Sequence, residues 1–149
     1  MSTSSAKFDY SPCSYSEGEE HMLSCSFKKS ADILEAFRRN RNNREIQVLY
    51  LTYSDDMSDD VLGEILDIVA SSANQELFHL ELKNLTRVTK IPEAIQHLPK
   101  LQDLYIGWMD GIEILPSGYI ISNNISSLYL NFLTNLRVIE AGAFQGMIL

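Results

Sequence analysis

The sequence is poor in the residue types that do chemistry. Among its 149 residues are two cysteines and three histidines. His21, His79 and His97 stand far apart, without the short spacings of a metal-binding set. No glycine-rich phosphate loop occurs, and no grouping of serine, histidine and aspartate suggests a nucleophile. The stretch DDMSDD at 55–60 invites a calcium reading. An EF-hand loop beginning at Asp56 would need glycine where Val61 stands and glutamate where Asp67 stands, so it fails twice. It reads better as an acidic turn at the start of a helix. With no reactive set in the chain, a non-enzymatic protein without cofactor or metal is expected.

Positive charge and long apolar runs are scarce as well. Twelve lysines and arginines face twenty acidic residues, for a net charge of −8. Such a surface repels polyphosphate, so nucleic acid is not an expected partner. The one basic cluster, Arg38, Arg39, Arg41 and Arg44, reads as a solvated loop after a helix, with a polyanion contact as the alternative. Nothing approaches the roughly 18 apolar residues of a membrane span, so no transmembrane segment is expected. The N-terminal MSTSSAKFDYSPC has no hydrophobic stretch and does not read as a secretory signal peptide.

What the chain does have is a period. Leu77, Leu80, Leu82, Leu85, Val88 and Ile91 recur 24 residues later as Leu101, Leu104, Ile106, Met109, Ile112 and Leu115. They recur again as Ile125, Leu128, Leu130, Leu133, Leu136 and Ile139. A longer first unit begins at Ile46, where Ile46, Leu49 and Leu51 match the strand positions of the later ones. It has room for a helix capped by Ser58, with Asp59 and Asp60 in its first turn and Val61, Leu62, Ile65, Leu66 and Val69 as its buried stripe. The later units replace this helix with short returns. The reading is a single domain: a disordered segment over 1–12, an N-terminal cap over 13–45, and four repeats over 46–149 starting near 46, 77, 101 and 125. Within the cap, SCSF at 24–27 reads as extended, and Ser30 as the N-cap of a helix over about 31–39.

The pattern LxxLxL followed by a turn resembles the leucine-rich repeat, whose units run about 20–29 residues. The resemblance covers 46–149, and it implies an α/β leucine-rich-repeat solenoid: curved, with one parallel strand per repeat on the concave face. The chain departs from the family where an asparagine is usual, because Ser54, Leu85, Met109 and Leu133 stand there. An asparagine ladder cannot form, and apolar packing and other donors must hold those turns. IEAGAFQGM near the end and PCSYSEGEEHMLSCSF near the start are similar to extracellular members of the family. The closest resemblance is to small secreted arthropod repeat proteins, such as the non-catalytic subunits of shrimp luciferin monooxygenases.

The resemblance implies an extracellular protein, with cytoplasmic location as the alternative. If Cys13 and Cys25 are bonded, they close a loop worth about 3 kcal/mol in the chain-entropy model. Two free thiols are the cytosolic reading. Asn84 and Asn124 head the two glycosylation sequons, Asn-Leu-Thr and Asn-Ile-Ser. No C-terminal cap follows the last unit. Leu149 falls where a fifth unit would begin, so the chain is expected to be incomplete at both ends.

On such a solenoid the residues between the strand aliphatics point outward. They form an exposed set that includes Val48, Thr52, His79 and Gly107, and two of its rows carry aromatics. One row is Tyr50, Glu81, Tyr105 and Tyr129; the other, just past the strands, is Tyr53, Asn84, Trp108 and Phe132. Tyr50, Phe78, Glu81, Tyr105, Trp108, Tyr129 and Phe132 are the candidate partner-binding residues, since aromatics dominate interface hot spots. Ordinary packing of aromatics on strands is the competing account. The expected function is a protein-binding module using the concave face. The alternative is an accessory subunit that stabilises or anchors a secreted enzyme.

Overall fold

The computed structural model describes residues 7–71, 76–118 and 125–145. The chain opens with a hairpin, β1 (Ser14–Glu17) and β2 (His21–Ser26), followed by helix α1 (Ser30–Arg39). Then come β3 (Val48–Thr52), α2 (Asp59–Ser71) and β4 (His79–Lys83). A short 3-10 helix at Glu93–His97 precedes β5 (Asp103–Gly107) and β6 (Ile114–Leu115), and β7 (Ser127–Asn131) and β8 (Val138–Ile139) follow. Six strands form one sheet in the order β1-β2-β3-β4-β5-β7, and β6 pairs with β8 separately.

Strict alternation makes these segments strands with two different faces. In β4, HLELK, Leu80 and Leu82 are buried while His79, Glu81 and Lys83 stay half-exposed. Register carries this across the sheet: Leu49 pairs with Leu80, Leu80 with Leu104, and Leu104 with Leu128. From β4 to β7 the partners are 24 residues apart, so the sequence period is the pairing offset. The inner face packs on Ile33 and Phe37 of α1, on Leu62, Ile65, Leu66 and Val69 of α2, and on Ala94 and Ile95 of the 3-10 helix. Polar caps hold the helices. Ser58 Oγ accepts from Val61 N at 3.2 Å, as the acidic-turn reading of 55–60 expects.

The expectation of a leucine-rich-repeat solenoid, with parallel strands one per unit, is overturned by this sheet. The α/β class holds, but the sheet is mixed, because β1 runs antiparallel to β2 with Ser14 opposite Ser24 and Glu17 opposite His21. The cause is local. Three residues join the two strands, and a turn that short can only bring them back antiparallel. There are two α-helices among the described residues, both before β4, so the architecture is a mixed sheet with helices covering part of one face.

Two smaller expectations also change. Ser30 is not an N-cap but the first helical residue, with Lys29 at the cap and no side-chain cap bond. Asp56 replaces it: its Oδ1 accepts from Ser30 N at 3.0 Å, and its carbonyl accepts from Ser30 Oγ at 3.4 Å. The segment read as disordered over 1–12 contributes Phe8 and Tyr10 to the core. Where the asparagine ladder is missing, Ser54 Oγ donates to Lys28 O at 2.9 Å and Leu85 N donates to Met109 Sδ at 3.3 Å.

Candidate functional site

The outer face of the sheet carries the predicted residues in a graded arrangement. Tyr50, Glu81, Tyr105 and Tyr129 form one row, aligned by the parallel register. Tyr50 is half-buried, its ring 5.6 Å from that of His79, and burial with Glu81 beside it pushes its phenol pKa up. His79 Nδ1 lies 3.5 Å from Oδ2 of Asp103, its register partner on β5. Tyr105 bends toward the strand end, over Gly107, where a Cβ would come within 2.7 Å of its ring. Its hydroxyl accepts from Asn131 Nδ2 at 3.3 Å, and its ring lies 6.2 Å from that of Tyr129. Phe78 sits apart at the start of β4, in an open cleft of about 830 Å³ shared with Gln102 and Ser126. Three residues of the expected exposed set, Val48, Thr52 and Gly107, are buried by their neighbours.

A feature the sequence does not reveal lies at the strand ends. The residue after each of the five strands that run parallel in the six-stranded sheet has a positive φ: Phe27 (59°), Tyr53 (54°), Asn84 (58°), Trp108 (55°) and Phe132 (53°). Each of the first four donates its N–H to the last carbonyl of the next strand, as Tyr53 does to Lys83 O at 2.9 Å and Trp108 to Asn131 O at 3.0 Å. After Tyr53, Asn84 and Trp108 the chain turns inward, so Ser54, Leu85 and Met109 are buried, whereas Lys28 after Phe27 stays exposed. The kinked residues are left at the edge, with Phe27 75%, Trp108 41% and Phe132 58% exposed. Phe27 stacks on Tyr53 with ring centres 4.6 Å apart, and Trp108 on Phe132 at 4.0 Å.

Magnitudes argue that this row does not exist for stability. A left-handed conformation costs a non-glycine residue roughly 1–2 kcal/mol, and each stacked pair contains two such residues. A stack returns about 0.5–1.5 kcal/mol. Asparagine tolerates the conformation best among non-glycine residues, yet only Asn84 is one. Four aromatics, three of them exposed, are kept here against local preference, as at a candidate binding site. Lys83 adds a cation, 5.3 Å from the Tyr53 ring centre, and hydrogen bonding to Tyr53 raises its pKa.

No family model and no curated protein matches this chain. Cys13 and Cys25 form a disulfide across the β1–β2 hairpin, and among the described residues no helix is long and apolar enough to cross a membrane. Both facts are compatible with an extracellular protein. Of the sequons, Asn84 lies in the aromatic row, while Asn124 lies outside the described residues, as does Leu149.

Sequence reasoning missed Phe27 as the head of the row. Its signal was LSCSF at 23–27, which aligns on LYLTY at 49–53 across the β2–β3 register. It also missed the hairpin's effect on His21, which is brought opposite Glu17 and within reach of Glu45. Donor atoms of these three lie within 4.8 Å of one another, and the Tyr15 hydroxyl sits 3.2 Å from His21 Nδ1. In the basic cluster, Arg38 pairs with Glu64 and Arg39 donates to Ser11 O at 2.8 Å, so both are engaged within the chain.

Proposed function

We propose that this protein is a non-enzymatic, extracellular protein-binding module whose partner lies on the outer face of the sheet. One observation carries this reading: exposed aromatics gather at one end of that face, Trp108 stacked on Phe132 with Tyr129 53% exposed on the same strand as Asn131. Aromatic rings supply large contact area with few torsions to immobilise, which is what a hot spot needs. Tyr105, packed over Gly107 and bonded to Asn131, supports this patch from the middle of the face. Tyr50, Glu81 and Phe78 extend the contact toward the strand starts.

The double variant Tyr105→Ala/Trp108→Ala tests it. Binding to the native partner, isolated by affinity capture from the source's extracellular fluid, is expected to fall at least a hundredfold, which is about 3 kcal/mol. The thermal midpoint is expected to stay close to wild type. Full binding by the double variant would show that the partner docks elsewhere.

A further inference from the structure

The hairpin at the sheet's edge is closed covalently at one end and gathers metal-ligating side chains at the other. Cys13 and Cys25 stand just beyond the pair Ser14–Ser24, while Glu17 and His21 form the last pair before the turn. Glu45, from the segment entering β3, reaches the same place, its Oε2 3.9 Å from His21 Nδ1. One donor atom from each of the three lies within 4.8 Å of the other two. Hydrogen bonds fix the backbone beneath them. His21 N–H donates to Gln47 Oε1 at 2.8 Å, and Gln47 N–H donates to His21 O at 2.8 Å. Glu45 N–H donates to Oδ1 of the buried Asn43 at 2.9 Å. The Tyr15 hydroxyl, 3.2 Å from His21 Nδ1, braces the ring. Among the described residues no lysine or arginine pairs with Glu17 or Glu45.

We propose that Glu17, His21 and Glu45 bind a zinc ion, which clamps the turn end of the hairpin to the chain entering β3. Two ionised carboxylates and a neutral imidazole carry the charge that a divalent cation cancels. Zinc holds nitrogen at about 2.0–2.1 Å and carboxylate oxygen at about 2.0–2.2 Å in a tetrahedron, which sets donors roughly 3.3–3.6 Å apart. From within 4.8 Å the donors close by at most about 1.5 Å, which torsions at the ends of the two exposed glutamates supply. Three protein donors leave the fourth position to water. The imidazole favours zinc over calcium and magnesium, which take oxygen ligands. The sequence shows no such set because 24 residues separate His21 from Glu45, and only the pairing of β2 with β3 brings them together. The site lies at the strand starts, whereas the aromatic row lies at the strand ends, so it stands apart from the docking-face reading.

Calorimetric titration of the full, disulfide-bonded chain with zinc chloride near neutral pH tests the site. Wild type is expected to take one ion per chain with a dissociation constant below roughly 100 µM, undisturbed by a hundredfold excess of calcium. His21→Asn, Glu17→Gln and Glu45→Gln are each expected to weaken binding at least tenfold. Glu19→Gln/Glu20→Gln, which neutralises two exposed carboxylates of the turn outside the set, should leave it within about twofold. Zinc should raise the thermal midpoint of wild type but not of Glu17→Gln/Glu45→Gln. In the unsubstituted protein, zinc should shift the imidazole NMR signals of His21 and leave those of His79 and His97 in place, a readout that survives any variant that fails to fold. The proposal is overturned if wild type takes no ion in that range, if His21→Asn binds as wild type does, or if the signals of His79 or His97 move instead. Equal weakening by the Glu19/Glu20 pair overturns it too, since the ion would then follow the general negative field of the turn.

Discussion

Tyr10 shows how much one residue in an unpromising stretch can carry. It lies in the polar N-terminal segment, yet its ring packs between Tyr15 and Phe37, with centres 5.2 and 5.5 Å away. Asn43 Nδ2 donates to its hydroxyl at 3.1 Å. Burial is the main cause that pushes its phenol up to about 12, with the Asn43 bond opposing. The folded pKa is raised above the ordinary value of 10, so its contribution is fully present below pH 10 and is lost as pH rises toward 12. Two units correspond to roughly 2–3 kcal/mol. Tyr10→Phe is expected to flatten that alkaline loss, while costing about 1–2 kcal/mol at neutral pH because Asn43 loses its acceptor. Denaturant titrations near pH 8 and near pH 11 check both. None of this is legible in the sequence, where small polar neighbours read as disorder.

Among the elements, the returns between strands are packed as tightly as the strands. A Cβ on Gly111 would come within 2.4 Å of Val88 O, because the turns after β4 and β5 lie backbone to backbone. Gly111→Ala must push those turns apart and is expected to cost about 1–3 kcal/mol. Gly63, in α2, has open space around its missing Cβ, and Gly63→Ala is expected to gain about 0.4–1 kcal/mol by stiffening the unfolded chain. Opposite shifts in thermal midpoint are the check. Strand positions from β3 onward were readable, since Leu49/Leu51, Leu80/Leu82, Leu104/Ile106 and Leu128/Leu130 repeat in register. The helix after Ser58 was readable from its stripe and cap. β2 is readable only in part, as the extended segment at 24–27, because Ser24, Cys25 and Ser26 dilute the aliphatic signal.

For the whole molecule, the disulfide-closed hairpin sets one boundary of the sheet. Cys13 and Cys25 close a loop of separation 12, and β1 covers the edge of β2 that would otherwise lie open. The double variant Cys13→Ala/Cys25→Ala is expected to lose about 3 kcal/mol, read as a lower denaturation midpoint. In wild type the same loss should follow addition of reductant, and an unchanged midpoint would mean that packing alone holds the hairpin. The α/β class and most strand positions are already set by the order of residues, because alternation and a 24-residue recurrence are properties of a line of residues. Three-dimensional packing made the sheet mixed, brought Phe27 into the row, and placed Asn84 between Tyr53 and Trp108 in it. Those outcomes depend on strand direction and on backbone kinks at positive φ, which bring together residues 24 to 31 positions apart. Hydrophobic pattern does not encode them, because burial is indifferent to the conformation of an exposed residue at a strand's end.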